Sequence, residues 1–263
     1  MDNFGFYKIT IDLDRNLFDE FSNSVSFEVT GKGRLGNHLV WEDERGIPLV
    51  RTTTNYNIPA HLFSSNHKML VRKIKASMED DPLFQSLHFN NALIEIYDQN
   101  YKKMKYHSDQ CLDVEKNSFI ALFSCYEKPK ELSLQSIRKL KIKDKSTDEE
   151  TVFDLTHNSV ILFSTPTNSK YLHKIVLEPV KGMKPLESDN RWLGITFRNS
   201  NTFVRFKDDR PYFSNGHPLE LADNHQRKAF FQLRSQENKS NDFVYPELNY
   251  TLSSADLLAP VKS

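Results

Sequence analysis

The sequence contains one His-x-Asp, at His107-Ser108-Asp109. In an extended segment residues two apart point to the same face, so an imidazole and a carboxylate at this spacing can bind one metal ion. A third ligand of the right kind lies well downstream: His173, in the strand-like YLHKIVLE, which follows the apolar run SVILFS. Two histidines and one carboxylate on one side of a metal form a facial triad, which suits non-haem Fe(II) and leaves the opposite side open to substrate and O2. His157, in the turn Leu155-Thr156-His157-Asn158, competes for the third place. A turn residue is less rigidly aimed, and His173 is preferred. His107, Asp109 and His173 are thus the candidate catalytic and metal-ligating residues. With nine histidines in the chain one HxD or HxE is roughly expected by chance, so its weight comes from its companions.

The first companion is the segment Arg191-Trp192-Leu193-Gly194-Ile195-Thr196-Phe197-Arg198. A guanidinium inside a β-barrel mouth needs a carboxylate, because an unpaired buried charge is costly. A dicarboxylic co-substrate that chelates iron at one end would supply that partner at the other. The plain alternative is an exposed strand arginine. Standard hydrolytic and zinc signatures are absent: the chain has no HExxH, no GxSxG and no P-loop.

These residues need elements to hold them, and the chain reads as β-dominated. Strand-like segments recur at Ser24–Thr30, His38–Glu42, Pro48–Thr54, Ala92–Asp98, Ser118–Cys125, Ser159–Ser164, Tyr171–Glu178 and Leu193–Arg198. Each is rich in β-branched or aromatic residues and bounded by turn formers or charges. Helical period is confined to Asn66–Met78 and His217–Asn238, the second with Gly216 and Pro218 as start signals. The charged run Lys128–Glu150 reads as an exposed insertion or edge hairpin. The fold class expected is α+β, β-dominated: a sandwich or jelly roll with helical support on one side.

Composition excludes more than it nominates. The 263 residues carry 35 basic and 35 acidic side chains, so any nucleic-acid partner would need a local basic patch. Two cysteines, Cys111 and Cys125, make neither a disulfide framework nor a zinc spacing. No stretch approaches the ~18 apolar residues of a membrane span, and the acidic, alternating start MDNFGFYKITIDLD is unlike a secretion signal. The expected compartment is cytoplasmic, with no membrane partner; nothing in the sequence reports the oligomeric state.

The ordered pieces Tyr97, His107-Ser108-Asp109, Asn158-Ser159-Val160-Ile161-Leu162-Phe163, His173 and Thr196-Phe197-Arg198 together resemble the Fe(II)/2-oxoglutarate-dependent dioxygenases, in particular the AlkB-like branch. The likeness covers about residues 90–200, and the segment 182–191 resembles the loop of that branch that leads to the co-substrate arginine. It implies a double-stranded β-helix (jelly roll) core at 91–206, with strands and a helix at 1–90, an insertion at about 128–150 and a helical extension at 207–263, all one oxygenase domain. It implies Fe(II), 2-oxoglutarate and O2 as cofactor and co-substrates, with His107, Asp109 and His173 on the iron. Tyr97 corresponds to the tyrosine that hydrogen-bonds 2-oxoglutarate, Arg191 to the arginine that pairs with its far carboxylate, and Arg198 to the second arginine of that strand.

Two departures qualify the resemblance. Arg191 and Arg198 are one residue further apart than in the bacterial repair enzymes, and strict alternation puts them on opposite faces. Either a bulge near Gly194 restores the facing, or only one arginine meets the co-substrate. Glu95-Ile96-Tyr97 stands where those enzymes have Asn-x-Tyr, and their nucleotide-gripping lid is replaced by the polar segment 46–56. The implied activity is hydroxylation or oxidative demethylation with release of succinate and CO2. The substrate is either an alkylated nucleic-acid base or a small metabolite or amino acid; a protein residue, or a non-enzymatic β-sandwich binding module, are the alternatives. A basic patch for nucleic acid would draw on Arg72-Lys73-Lys75, Lys102-Lys103-Lys105 and Arg138-Lys139-Lys141-Lys143.

Overall fold

Residues 4–102, 104–179, 182 and 189–262 are described by the computed structural model. The segment 182–191, apart from its ends, lies outside them, as does Lys103. The first part of the chain runs β1 (Phe6–Thr10), α1 (Phe18–Ser22), β2 (Glu28–Gly31), β3 (Arg34–Val40), β4 (Ile47–Leu49), β5 (His61–Leu62), α2 (Ser65–Ala76) and β6 (Asn91–Tyr97). Then follow β7 (Phe119–Tyr126), β8 (Lys139–Asp144), β9 (Glu150–Asp154), β10 (Ser159–Ser164), α3 (Thr165–Lys170), β11 (Tyr171–Val176) and β12 (Trp192–Arg198). The last part holds β13 (Thr202–Lys207), β14 (Arg210–Phe213), β15 (Glu220–Leu221), α4 (Asn224–Lys239) and β16 (Tyr250–Thr251).

The main sheet has the order β1-β10-β7-β12-β6-β3-β2, antiparallel throughout, with β5 added in parallel to β3. A smaller sheet, β11-β8-β9, faces it. This is the jelly roll expected from the sequence. Alternation in β12 shows how the two layers are filled. Leu193, Ile195 and Phe197 join Leu70, Val71 and Ile74 of α2 in one buried cluster, on the helix side of the main sheet. Trp192 joins Leu140 and Ile142 of β8 and Ile175 of β11 in a second cluster between the sheets. By the period of two, Gly194, Thr196 and Arg198 share the inward face of Trp192.

The run 128–150 is more than an exposed insertion. Its segment KLKIKD is a strand with Leu140 and Ile142 buried and the lysines between them turned outward. Dense charge hides a period-2 apolar pattern, and β8 is the sheet partner of the strand that carries His173. The second helix starts later than Gly216 and Pro218 suggest: Asp223 is its N-cap, in a capping box with Gln226. Residues upstream form a turn at Gly216 and the short β15, which pairs β16. The polar segment 48–54 leaves the sheet after Leu49, because Asp113 captures both the N–H (2.7 Å) and the guanidinium (2.7 Å) of Arg51. No helix among the described residues is long and apolar enough to cross a membrane.

Candidate active site

His107 and His173 meet in a single antiparallel bridge. The His107 N–H donates to His173 O at 3.0 Å, and the His173 N–H donates back to His107 O at 2.7 Å. Residues directly opposed in this way project to the same side, and their rings lie 4.7 Å apart. Asp109 Oδ1 is 3.4 Å from His173 Nε2. One ligand atom from each of the three residues lies within 4.8 Å of the others. Metal bonds of about 2.1 Å at right angles place ligand atoms about 3 Å apart, so the spacing is of the order a single ion needs.

The surroundings prepare the three side chains for that task. His107 Nδ1 lies 3.0 Å from the Lys105 carbonyl, an arrangement that makes Nδ1 the protonated nitrogen and leaves the Nε2 lone pair available to a metal. Burial, with His173 close by, pushes the His107 pKa down to about 3, so the imidazole is neutral. Burial alone would raise the Asp109 pKa, but the Arg198 guanidinium, the His173 hydrogen bond and both imidazoles hold it far below the usual carboxylate range. Arg198 donates from Nε and Nη2 to Asp109 Oδ2 at 3.1 and 2.9 Å.

Arg198 Nη1 is buried and has no hydrogen-bond partner among the described residues. The same holds for Trp192 Nε1, Ser124 Oγ, His38 Nε2 and the Tyr56 hydroxyl. Register puts Trp192, Ser124 and His38 on the inward rows of β12, β7 and β3, which are the rows of Arg198 and Gly194. A buried orphan donor costs about 1–3 kcal/mol, so a group of them in one barrel is poorly explained by packing. It fits a small, oxygen-rich anion held beside the candidate metal ligands, as 2-oxoglutarate would be.

Of the other residues singled out from the sequence, Tyr97 faces this interior. It is fully buried, its hydroxyl donates to Glu95 Oε2 at 2.8 Å, and burial pushes its pKa well up. Glu95 is also clasped by Arg34, with Nε at 2.6 Å from Oε1. Arg191 is not brought to the cluster. Pairing of β12 with β6 and β7 runs in unbroken register from Trp192 onward, so no bulge at Gly194 turns the strand. Arg191 instead makes a two-pronged ion pair with Glu127 at 2.9 and 2.8 Å and lies over the Phe18 ring, on the helix side of the sheet. His157 also stands apart, accepting the Tyr126 N–H at 3.1 Å.

Sequence reasoning missed Arg34, His38 and Tyr56. Alternation in RLGNHLV puts Arg34, Gly36 and His38 on one face, a signal that was available. Tyr56 gave none: it comes from a loop, and its hydroxyl enters through the space left by the absent side chain of Gly36, 2.8 Å from where a Cβ would stand.

Residues 37–198 match the family model described as 2OG-Fe(II) oxygenase superfamily. No curated protein matches the chain by sequence. Among solved structures, that of OsALKBH1 is similar with a TM-score of 0.49 at 15% identity, covering 74% of this chain and 96% of the other. A Pseudomonas putida prolyl-4-hydroxylase is similar with a TM-score of 0.43 at 9% identity, covering 75% of this chain and 94% of that one.

Proposed function

This chain belongs to the 2OG-Fe(II) oxygenase superfamily, and from that premise we propose that it is an AlkB-like dioxygenase in which His107, Asp109 and His173 hold the iron. The observation that carries the assignment is the convergence of these three, from distant parts of the chain, with Arg198 on the second oxygen of Asp109. Arg198 and Tyr97 serve 2-oxoglutarate; Arg191, paired with Glu127, does not. When bound, Fe(II), 2-oxoglutarate and O2 supply the oxidation of a substrate C–H bond, with succinate and CO2 released.

The chain's own residues do the positioning. Arg198 keeps Asp109 ionised, and the Lys105 carbonyl fixes the His107 tautomer. Hydroxylation is the base outcome; an N-methyl carbon would leave as formaldehyde. The substrate proposed is a small metabolite or amino acid at the barrel mouth, with an alkylated base as the second reading. The candidate basic patch supports this order. Arg138 is buried and donates to the Tyr101 and Asp98 carbonyls, while Lys141 and Lys143 pair with Glu178 and Asp148.

Anaerobic addition of Fe(II) and 2-oxoglutarate should give a weak visible charge-transfer band, lost in His107→Ala and His173→Ala. Its absence from well-folded protein would sink the assignment. Succinate release on a panel of free amino acids, metabolites and methylated oligonucleotides separates the two substrate readings; stimulation by oligonucleotides alone reverses their order.

A further inference from the structure

We propose that the C-terminal helix α4 is a working part of the metal centre, with Asn238 and Arg234 as positioning residues for His107 and Asp109. The inference rests on the reading that these residues hold the ion. Past the bridge of His107 to His173, the segment 108–111 lies in no strand, although Ser108 and Asp109 are buried. Buried main-chain polar groups need partners, and here the sheet supplies none.

Side chains take over that duty. Asn238 Oδ1 accepts both the Ser108 N–H (3.0 Å) and the Ser108 hydroxyl (3.1 Å). Arg234 donates to the Ser108 carbonyl. Glu237 accepts the Cys111 N–H at 2.8 Å, and is itself fixed by Arg234 at 2.5 Å and the Tyr245 hydroxyl at 2.6 Å. From the other side, Asn168 of α3 grips Asp109, accepting its N–H at 2.7 Å and donating to its carbonyl at 2.8 Å. Ser108, with a ligand on either side of it, is therefore held at all three of its polar groups by one helix.

The same helix end reaches the strand that neighbours the His173 strand. Lys145, just past β8, donates to the carbonyls of Glu237 (3.1 Å) and Ser240 (2.7 Å), and β8 is the sheet partner of the His173 strand. The end of α4 thus ties the His107–Asp109 segment to the sheet that carries His173. Residues that orient metal ligands typically contribute about 10- to 100-fold to metal affinity.

The test compares full-length wild type with Asn238→Ala, Asn238→Asp, Arg234→Ala and His107→Ala. Co(II), which takes the same kind of nitrogen and oxygen site as Fe(II), is titrated in competition with a chelating dye, and urea unfolding of the metal-free proteins is measured alongside. Asn238→Ala is expected to lower the metal-free unfolding midpoint, because two Ser108 donors lose their acceptor, and, in protein that is still folded, to weaken Co(II) by about 10- to 100-fold and alter its visible spectrum. Asn238→Asp keeps the accepting oxygen and should restore both affinity and spectrum. Wild-type affinity and spectrum in Asn238→Ala and Arg234→Ala overturn the proposal. So does weakening that merely tracks lost stability and is not rescued by Asn238→Asp. If wild type fails to bind Co(II), or His107→Ala binds it equally well, the ligand assignment itself falls and takes this inference with it.

Discussion

Gly194→Ala is the most direct probe of how the barrel interior is packed. A Cβ at position 194 would stand 2.0, 2.6 and 2.7 Å from three atoms of the Trp192 indole. Carbon atoms in contact sit at about 3.5–4.0 Å, so the ring must move by about 1.5 Å. It has little room: Trp192 is 1% exposed and packs on Tyr97 at 4.8 Å between ring centroids. Overpacking of this kind costs about 1–3 kcal/mol, and a fully buried neighbour puts the cost near the top of that range. Removing a glycine from the unfolded chain returns about 0.4–1 kcal/mol, because position 194 has ordinary strand geometry. Sterics win, and the net loss is about 2 kcal/mol, or about 4–8 °C in Tm for a domain of this size. Thermal and urea unfolding of wild type, Gly194→Ala, Trp192→Leu and the double variant check it. In the Trp192→Leu background the alanine should be neutral or slightly stabilising, a coupling of about 2 kcal/mol. Equal effects of Gly194→Ala in both backgrounds would show that the indole does not lie over position 194.

Arg51→Met strands the buried carboxylate of Asp113 and should cost about 3–5 kcal/mol by urea denaturation; a loss under 1 kcal/mol would mean the pair is not desolvated. Arg191→Ala breaks a partly exposed pair and should cost about 0–1 kcal/mol with 2-oxoglutarate affinity unchanged, whereas Arg198→Ala should weaken binding of Co(II) and 2-oxoglutarate by calorimetry. The reverse order would return the co-substrate role to Arg191. His67 and His38 are buried, and desolvation lowers their pKa values to about 3 and about 4, with His61 and Arg198 adding to it respectively. Below pH 6.5 the unfolded chain takes up protons that the folded chain refuses, so stability falls on acidification, by about 1.4 kcal/mol per pH unit for each histidine. Urea midpoints at pH 7 and pH 5 should differ accordingly, and a His67→Gln variant should flatten the slope; a flat wild-type profile contradicts the burial of both rings in neutral form.

Much of the candidate metal site is legible in the sequence because it depends on chain-local geometry. His107 and Asp109 are two apart, and His173 sits in a strand whose limits are marked by composition. The parity of Arg191 and Arg198 could also be counted, and the unbroken register of β12 leaves Arg198 as the inward member. What the sequence hides is whatever depends on distant partners. β8 reads as a charged loop because its lysines outnumber its apolar residues, although alternation turns Leu140 and Ile142 inward. Arg51 turns away from the sheet only because Asp113 stands opposite, and Tyr56 reaches the interior only because Gly36 leaves space. The clasp of α4 on Ser108 joins residues 130 apart and obeys no local pattern.

The strand order of the main sheet bears on how the chain reaches this state. β1 pairs with β10, and β7 lies between β10 and β12, so neither β1 nor β7 can complete its hydrogen bonding until strands much later in the chain exist. Loop-closure entropy is spent before these pairings return anything, which makes such topologies slow to fold. In the interval FIALFSCY and SVILFS lie open, two uncharged segments of high β-propensity whose residues are nearly all buried in the finished molecule. Segments of this composition seed aggregation when left unpaired. Yield of folded protein should therefore be governed by temperature and by holding chaperones more than by the stability of the finished barrel.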